Sequence, residues 1–303
     1  MKKVLVTGGA GFIGSFIVDY LIDKGFEVIV IDNLSSGNRD NLNEKAKFYE
    51  ADIRDKNTLD IFEKEKPDCV YHLAAQINVR DSIKDPLKDS KINILGTLNI
   101  LDSCIKNNVK KFIFSSTGGA IYGDNCNIPT SEKEKEEPLS PYGISKLTIE
   151  KYLKFYKNVH GLDYVSLRYS NVYGPRQNSK GEAGVVSIFI NKILSGENPA
   201  INGSGKQTRD YVYVKDIAKA NVLALSLSGI YNVGTSKETS VNELFSKIMG
   251  KMDVSNEVIH SPEVKGEQMR SCLDSRKLTG EGWKIDYDLD KGLKETIEYF
   301  KSK

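Results

Sequence analysis

The stretch Val4–Val18, "VLVTGGAGFIGSFIV", decides the fold of this chain. Its first residues are apolar and β-branched, which predicts a buried strand, and the apolar spacing over Phe12–Gly25 predicts a helix that ends at the glycine. Between them lie Gly8, Gly11 and Gly14, which allow a tight turn and bring backbone N–H groups and the helix N-terminus close to a pyrophosphate. The strand–turn–helix context therefore predicts dinucleotide binding. The alternative is a structural turn without a ligand.

The next predicted strand, "FEVIVID", ends in Asp32, 18 residues beyond Gly14. A carboxylate at this place reaches the adenosine ribose hydroxyls and repels a 2′-phosphate. NAD is therefore favoured over NADP as the cofactor. Arg39 could accommodate a 2′-phosphate, but a loop cation is the simpler interpretation.

Short apolar runs alternate with helical segments through the first half of the chain. The runs are "KFYEADI", "DCVYHLAA", "KKFIFSS" and "DYVSLRYSNV", and one long helix is predicted over residues 85–108. This alternation predicts an α/β fold with a doubly wound parallel (Rossmann) sheet, covered on both faces. The regularity weakens after Gly174. We predict a Rossmann domain that binds NAD over residues 1–174, and a smaller, interleaved C-terminal α/β lobe over 175–303, with some segments returning to the first domain.

The composition, with 39% hydrophobic and 28% charged residues and a net charge of +2, is that of an ordinary soluble globular protein. The charges form no polybasic block, which argues against nucleic acid or a membrane surface as the main partner. The alternating charges of residues 132–138, "EKEKEEP", are typical of a solvated loop. No stretch approaches the roughly 20 apolar residues of a membrane span, and glycines interrupt the N-terminal run too early for a signal peptide. We therefore expect a cytoplasmic protein.

The cysteines stand alone in the sequence, and only three histidines accompany them. Because there are no CxxC pairs, we expect no metal site. Isolated cysteines fit packed thiols in a reducing compartment. The four are Cys69, Cys104, Cys126 and Cys272.

A tyrosine precedes a lysine by four residues at five places, so the spacing alone identifies no site. Pro141 favours the first position of a helix, which places Tyr142 in its first turn and Lys146 one turn along on the same face. This helix follows "KKFIFSS", a strand whose carboxyl end lies beside the nicotinamide half of a doubly wound sheet. The five pairs are Tyr20/Lys24, Tyr142/Lys146, Tyr211/Lys215, Tyr287/Lys291 and Tyr299/Lys303.

The Tyr142/Lys146 pair has the chemistry of a proton-transfer device. An ordinary phenol has a pKa of about 10. A nearby ammonium and a cationic nicotinamide both favour the phenolate and so lower this pKa. The preceding strand ends in Ser115, Ser116 and Thr117, whose hydroxyls can share the proton and hold a substrate oxygen. We predict that Ser116 and Thr117 join the pair in catalysis. Turn chemistry at the strand end is the alternative for Thr117.

Eight motifs follow one another over nearly the whole chain: "TGGAGFIG", "DNLSSG", "ADIRD", "HLAAQ", "FSSTGGAIYG", "SPYGISK", "RYSNVYGPRQ" and "RDYVYVKDIA". With them the chain strongly resembles the extended short-chain dehydrogenases/reductases that act on nucleotide sugars, most closely the UDP-glucose (UDP-galactose) 4-epimerases. The resemblance implies a redox-neutral isomerase with bound NAD and a UDP-sugar substrate. The sugar 4-hydroxyl loses a proton while C4 gives a hydride to NAD, and the transient 4-keto sugar is then reduced from its opposite face.

The resemblance also implies roles for individual residues. Tyr142 would be the base, Lys146 its cationic partner and ribose anchor, and Thr117 the proton-sharing hydroxyl. The implied cofactor-binding residues, besides Tyr142 and Lys146, are Gly8, Gly11, Phe12, Ile13, Gly14, Asp32, Asn33, Asp52, Ile53, Leu73, Ala74, Ala75, Gln76, Asn93, Ser115 and Tyr169. The implied substrate-binding residues, besides Thr117 and Tyr142, are Asn171, Val186, Ala200, Asn202, Arg209, Glu267, Arg270 and Ser271.

Related activities are alternatives. Resembling 4,6-dehydratases need an Asp-Glu pair after the strand-end threonine, and decarboxylases of UDP-glucuronate carry a Glu near it. Here Gly118 and Gly119 follow Thr117, which favours simple epimerisation. A non-enzymatic NAD-binding sensor is the remaining alternative, and the Tyr142/Lys146 pair argues against it.

Two positions near "PEVKGEQMRSCLD" bear on the substrate. The family usually places an Arg three residues before an acidic residue there; here the acid is Glu267 and Val264 replaces the Arg, so Arg270 or Lys265 would substitute. Ser271 aligns with the position whose bulk gates the sugar pocket, and a small residue leaves room for an N-acetyl group. We therefore expect UDP-GlcNAc and UDP-GalNAc to be accepted too, unless Ser271 is merely a serine of a surface loop.

Members of this family are commonly homodimers that associate through two long helices. The candidates here are residues 86–108 and 141–161. The sequence alone does not separate a dimer face from core, so a homodimer is an expectation from the resemblance.

Overall fold

The computed structural model describes residues 2–178, 184–254, 258–263 and 268–303. The α-helices are α1 (Phe12–Asp23), α2 (Thr58–Glu65), α3 (Val79–Lys84), α4 (Pro86–Ser90), α5 (Thr97–Lys106), α6 (Gly118–Ile121), α7 (Pro141–His160), α8 (Val185–Leu194), α9 (Val214–Leu223), α10 (Val241–Met252), α11 (Arg276–Gly280) and α12 (Leu289–Lys301). The strands are β1 (Lys3–Thr7), β2 (Glu27–Asp32), β3 (Lys47–Glu50), β4 (Cys69–His72), β5 (Lys111–Thr117), β6 (Asp163–Tyr169), β7 (Asn171–Tyr173), β8 (Ala200–Asn202), β9 (Thr208–Arg209), β10 (Tyr211–Tyr213), β11 (Gly229–Val233), β12 (Thr239–Ser240), β13 (Ile259–Ser261) and β14 (Arg270–Ser271). Short 3-10 turns lie at Arg39–Asn41 and Ala224–Ser226, and a π turn at Lys91–Gly96.

Seven parallel strands form the central sheet in the order β11-β6-β5-β4-β1-β2-β3. The predicted α/β class with a doubly wound parallel sheet is confirmed. The strand order reverses between β1 and β4, and sheets of this kind bind ligands beyond the carboxyl ends of the strands at that point. One of the two edge strands, β11, comes from the C-terminal part of the chain, which therefore returns to the main sheet.

The sheet separates two hydrophobic cores because successive side chains of a strand point to opposite faces. Val4 and Val6 pack into the core beneath α1 and α9, whereas Leu5 packs on the other face with Phe62 of α2 and Leu101 of α5. This two-sided burial explains why the strands read as continuous apolar runs rather than as alternating ones.

A third core lies in the C-terminal part of the chain. It is formed by apolar side chains from α8, α10 and α12, among them Phe189, Leu244 and Leu293. Three small sheets accompany it, β7 with β10, β9 with β12 and β14, and β8 with β13. They carry six of the residues predicted to bind the nucleotide sugar, Asn171, Ala200, Asn202, Arg209, Arg270 and Ser271.

Three predicted segments differ from the structure. The helix over 85–108 is interrupted by the π turn, where the Thr97 hydroxyl donates to the Asn93 carbonyl at 2.7 Å. The run "DYVSLRYSNV" breaks after Tyr169, because β7 pairs with β10 instead of the main sheet. The "EKEKEEP" segment is not only a solvated loop: Glu132 accepts from the Asn232 backbone N–H at 2.7 Å, and Glu136 pairs with the fully buried Arg168 at 2.8 Å.

The length and apolarity of the described helices bear on whether any of them could span a membrane. None of them is long and apolar enough to cross a bilayer. The longest, α7, has 20 residues and carries lysine and glutamate side chains along its length.

Candidate active site

The glycine turn between β1 and α1 has the geometry of a phosphate cradle. Gly8 has a φ of +73°, and a Cβ there would lie 2.7 Å from the backbone nitrogen of Ala74. A Cβ on Gly14 would lie 2.1 Å from the Gly8 carbonyl oxygen. Gly11 precedes α1 without a side-chain cap, and the first turn holds no acidic residue. The N-terminal N–H groups of α1 therefore face an environment that favours an anion, which fits the pyrophosphate of NAD.

Asp32 closes β2 beside this turn. Its carboxylate accepts from the Ala10 N–H at 3.0 Å and the Leu34 N–H at 2.8 Å, one bond on each oxygen. Burial raises the pKa of Asp32, and these two donors oppose the rise. A carboxylate oxygen has two acceptor positions, so both oxygens retain one for a ribose hydroxyl.

Asn33 and Asp52 contact each other at the predicted adenosine end. The Asn33 side chain donates to Asp52 at 2.8 Å, and Arg54 donates three further hydrogen bonds to the same carboxylate, two from its guanidinium and one from its backbone N–H. These donors hold the pKa of Asp52 well below its usual range. The Asn33 amide therefore supports Asp52, a contact that sequence reasoning did not anticipate.

The loop that follows β4 is held by Asn93 in the π turn. Asn93 accepts from the Gln76 N–H and donates to the Gln76 carbonyl, both at 2.8 Å. Such π turns often occur at functional sites. This exchange sets the position of Leu73, Ala74 and Ala75, the other residues predicted to line the cofactor.

His72 fastens the base of the same loop, and sequence reasoning missed it. Its Nδ1 lies 2.8 Å from the Thr7 hydroxyl and its Nε2 lies 2.9 Å from the Thr97 hydroxyl. Because the Thr97 hydroxyl donates to Asn93, it accepts from Nε2–H, and Nδ1 accepts from Thr7. Burial lowers the pKa of His72 to about 3, so it is a neutral cross-link.

The structure brings Tyr142 and Lys146 together in the first turns of α7. Ser140 caps the helix by accepting from the Gly143 N–H at 3.2 Å. The Lys146 ammonium lies 5.9 Å from the centre of the Tyr142 ring and donates to the Ser115 carbonyl at 2.8 Å. Burial lowers the pKa of Lys146 to about 8, which leaves it largely cationic at neutral pH.

The hydroxyl residues at the end of β5 have different surroundings. The hydroxyl of Ser116 donates to buried Glu150 at 2.7 Å, and Ser116 also lines the cavity, so its role as a catalytic hydroxyl stays a prediction. The Ser115 hydroxyl lies 3.1 Å from that of Tyr169, whose pKa burial raises to about 12. Thr117 ends the strand, lines the cavity and precedes α6.

A cavity of about 540 Å³ joins these elements to the C-terminal part of the chain. Its walls come from the glycine turn, the end of β5, the start of α7 and the small sheets. Ten of the predicted site residues line it: Phe12, Ile13, Ser116, Thr117, Tyr142, Tyr169, Asn171, Ala200, Asn202 and Arg209. The cavity therefore connects the predicted base to most of the predicted substrate residues.

Two predicted substrate residues lie elsewhere. Val186 is 1% exposed and belongs to the core of α8, while its neighbour Val185 lines the cavity, because consecutive helical residues face different directions. The Arg270 side chain is exposed and makes two hydrogen bonds to Glu238. Three further residues named in the sequence analysis lie outside the described residues: Val264, Lys265 and Glu267.

Ser271 is buried rather than part of a surface loop. It lies on β14, where it is paired in register with Arg209 of β9. Its hydroxyl oxygen would lie 3.9 Å from a Cβ added at Gly119, two residues beyond Thr117. Ser271 therefore lies next to the strand end where the sugar is predicted to bind.

Several cavity residues were missed by sequence reasoning. Arg80 and Gln177 line the cavity, as does Ser170 between two predicted residues. In the described part of the chain, the Gln177 side-chain oxygen and the Ser170 hydroxyl are buried without hydrogen-bond partners, which suits groups that meet a ligand. The available signal was position, since each follows the carboxyl end of a strand closely.

Comparison with known proteins gave consistent matches. The chain matches the NAD dependent epimerase/dehydratase family over residues 4–234. A UDP-glucose 4-epimerase of Mycolicibacterium smegmatis is 40% identical over 310 residues, with 99% of each chain covered. The structure of UDP-glucose 4-epimerase with UDP-glucose from Thermotoga maritima has a TM-score of 0.97 at 49% identity, with 99% of each chain covered. A UDP-N-acetylglucosamine 4-epimerase from Methanobrevibacter ruminantium, in complex with UDP-N-acetylmuramic acid, has a TM-score of 0.95 at 42% identity and covers 99% of this chain and 98% of that one.

Proposed function

Because the chain belongs to the NAD dependent epimerase/dehydratase family, we propose that it is a UDP-hexose 4-epimerase that interconverts UDP-glucose and UDP-galactose. The observation that carries the proposal is one cavity lined by Tyr142 and Thr117 together with four residues predicted to bind the nucleotide, Asn171, Ala200, Asn202 and Arg209. We assign residues 1–174 to the cofactor and most of 175–303 to the nucleotide sugar.

The residues present fit NAD. The N-terminus of α1 and the glycine turn would hold its pyrophosphate, Asp32 the adenosine ribose, and Lys146 the nicotinamide ribose. When bound, NAD supplies the acceptor, and later the donor, of the hydride at the sugar C4.

Tyr142 performs the proton transfer in this proposal. Its phenolate takes the proton of the 4-hydroxyl as C4 loses hydride, and returns the same proton when C4 is reduced. Lys146, one helical turn away, favours the phenolate by its positive charge. Thr117 is placed to hold the sugar oxygen by its hydroxyl. Protons and hydride thus balance over the cycle, and no external oxidant is needed.

The charges along the cavity suit a nucleoside diphosphate. Arg80 and Arg209 line it, and none of its described lining residues is acidic. Guanidinium groups pair well with phosphate oxygens, so these two would neutralise the diphosphate.

The surroundings of Thr117 favour epimerisation over water loss. Gly118 and Gly119 supply no acid, and a Cβ on Gly118 would lie 2.4 Å from the Leu273 side chain. Small Ser271 beside Gly119 leaves space, which supports acceptance of N-acetylated sugars as well.

The decisive experiment incubates the purified protein with UDP-glucose and measures UDP-galactose, and then repeats the assay with UDP-GlcNAc. We expect conversion without added NAD, because the cofactor is regenerated in each cycle. A protein that retains NAD but converts no UDP-hexose or UDP-N-acetylhexosamine would refute the proposal.

We further propose a homodimer formed by the two predicted helices. Along α7 an apolar stripe of Ile144, Phe155 and Val159 is 48–59% exposed, and Leu87 and Leu95 on the neighbouring segment are 74% and 59% exposed. An apolar face of this extent usually marks an interface. Light scattering should give twice the chain mass, and Phe155→Asp should give the monomer mass; a monomeric wild-type protein refutes this part.

A further inference from the structure

A buried carboxylate lies between the cofactor-lining loop and the catalytic helix. Asp89 of α4 is 0% exposed, and its oxygens accept hydrogen bonds from three side chains. One oxygen accepts from Asn93 and from Gln76, each at 2.9 Å, and the other accepts from Ser145 at 2.6 Å. Bonds to a charged acceptor are stronger than neutral ones, so this junction is rigid.

The three donors come from different walls of the site. Gln76 ends the loop Leu73–Gln76, and Asn93 already exchanges two hydrogen bonds with the backbone of Gln76. Ser145 immediately precedes Lys146 on α7. Asp89 therefore sets the spacing between the loop that lines the cofactor and the turn that carries the lysine.

The charge of Asp89 also needs a partner. All three donors are neutral, and a buried carboxylate is costly unless a positive charge is near. Lys146 supplies that charge, because the Asp89 carboxylate attracts its ammonium and raises the pKa of Lys146.

Among the groups that face Lys146, Asp89 is the main source of negative charge. Glu150, one turn further on α7, also raises the pKa of Lys146, but after Asp89 in magnitude, and its charge is offset by two hydrogen bonds from the Arg168 guanidinium. His72 of β4 is neutral. The titratable and charged groups that face Lys146 are Asp89 from α4, Tyr142 and Glu150 from its own helix, and His72 from β4.

We propose that Asp89 is a positioning residue of the active site, which fixes the cofactor-lining loop against the start of α7 and places a negative charge beside the turn that carries Lys146. The inference builds on the proposed function but concerns the NAD site, whose geometry does not depend on the identity of the sugar. Burial lowers the pKa of Lys146 to about 8, and the Asp89 charge opposes this lowering.

Two variants separate the effect of the Asp89 charge from the effect of its hydrogen bond to Ser145. In Asp89→Asn the amide oxygen can still accept from Asn93 and Gln76, and the amide nitrogen can donate to the Ser145 hydroxyl, so mainly the charge is lost. In Ser145→Ala the charge remains and one hydrogen bond is lost.

Asp216→Asn is the matched control. Asp216 is also 0% exposed, accepts backbone hydrogen bonds from Asp286 and Tyr287, and lies outside the site. It therefore reports the general cost of removing a buried carboxylate.

The measurement is NADH affinity by fluorescence between pH 6 and 10, together with the pH profile of epimerisation. Without the Asp89 charge Lys146 loses its proton at lower pH. In Asp89→Asn, NADH affinity and epimerisation rate should therefore both begin to fall at a pH about one unit lower than in the wild type. Ser145→Ala should weaken NADH binding about five-fold, but its NADH affinity should fall at the same alkaline pH as that of the wild type. Asp216→Asn should match the wild type in both.

The outcomes separate the two proposals. A wild-type protein that converts no UDP-hexose refutes the proposed function, while the NADH titrations still decide the role of Asp89. An Asp89→Asn protein that follows the wild-type pH dependence overturns the inference. If that variant does not fold, Ser145→Ala decides, and NADH affinity equal to that of the wild type overturns it.

Discussion

Replacing Lys146 by methionine should remove activity and yet stabilise the NAD-free protein. Burial holds the pKa of Lys146 at about 8, against an ordinary value of 10.5. Each pKa unit corresponds to about 1.4 kcal/mol, so the buried ammonium costs the fold roughly 3 kcal/mol at neutral pH.

The pKa of about 8 already includes the attraction between the Lys146 ammonium and the Asp89 carboxylate, so this penalty remains after that attraction is counted. The methionine side chain recovers most of it. It has a similar length and can pack against Phe114, over whose ring the ammonium lies at 4.7 Å. The hydrogen bond to the Ser115 carbonyl is lost, at a cost of about 1–2 kcal/mol. The net expected gain is roughly 1–2 kcal/mol in the free energy of unfolding, or about 2–3 °C in Tm.

The gain should depend on pH in one direction. Below pH 8 Lys146 is protonated in both the folded and the unfolded chain, and the whole penalty applies. From pH 8 to 10.5 the unfolded chain binds more protons than the folded one, so the wild type gains stability as pH rises. The difference between Lys146→Met and the wild type should therefore shrink between pH 7 and pH 10.

The assay is thermal unfolding of protein stripped of NAD, because a ligand that binds only the folded wild type would mask the effect. Lys111→Met is the control: Lys111 is also buried and donates to the Leu227 carbonyl, but it pairs with Asp163 at 2.9 Å. Its removal should destabilise the fold. A Lys146→Met protein less stable than the wild type at pH 7, or a difference unchanged at pH 10, would refute the reasoning.

Three further changes test the site. Tyr142→Phe should abolish epimerisation, at least 10³-fold, with NAD still bound, while Tyr20→Phe should leave the rate unchanged; equal losses would contradict the choice of base. Ser271→Tyr should remove activity on UDP-GlcNAc and spare UDP-galactose, as measured by separate rate assays, and a parallel fall in both would contradict a gate. Gly14→Ala should abolish NAD retention, measured in the denatured supernatant, because its Cβ would lie 2.1 Å from the Gly8 carbonyl oxygen; a normally loaded protein would contradict the cradle.

Local patterns were enough to predict the sheet and the cofactor turn. The glycines before α1 and Asp32 at the end of β2 act through neighbours within about 20 residues, which the alternation of strands and helices makes recognisable. Tyr142 and Lys146 lie one turn apart on one helix, so their proximity also followed from the sequence. Their assignment to catalysis stays a prediction for the variants above.

Other features required distant segments to meet. The hydrogen bond of 2.7 Å from the Ser116 hydroxyl to Glu150 joins residues that are 34 positions apart in the chain. Val185 lines the cavity while Val186 is buried, because of how α8 is rotated on its core. Ser271 is next to Gly119 although about 150 residues separate them.

The amino-acid sequence by itself determined the alternation of strands and helices in the first half of the chain, the glycine turn before α1 and the proximity of Tyr142 and Lys146, because these depend on backbone preferences and apolar spacing over short stretches. The tertiary structure alone decided which polar groups are committed to the core and which are open to the cavity. Asp89 is the clearest case: an unremarkable aspartate in sequence becomes a junction between Gln76 and Ser145. Burial and hydrogen-bond partners are properties of packed surfaces, and these exist only once the chain has folded.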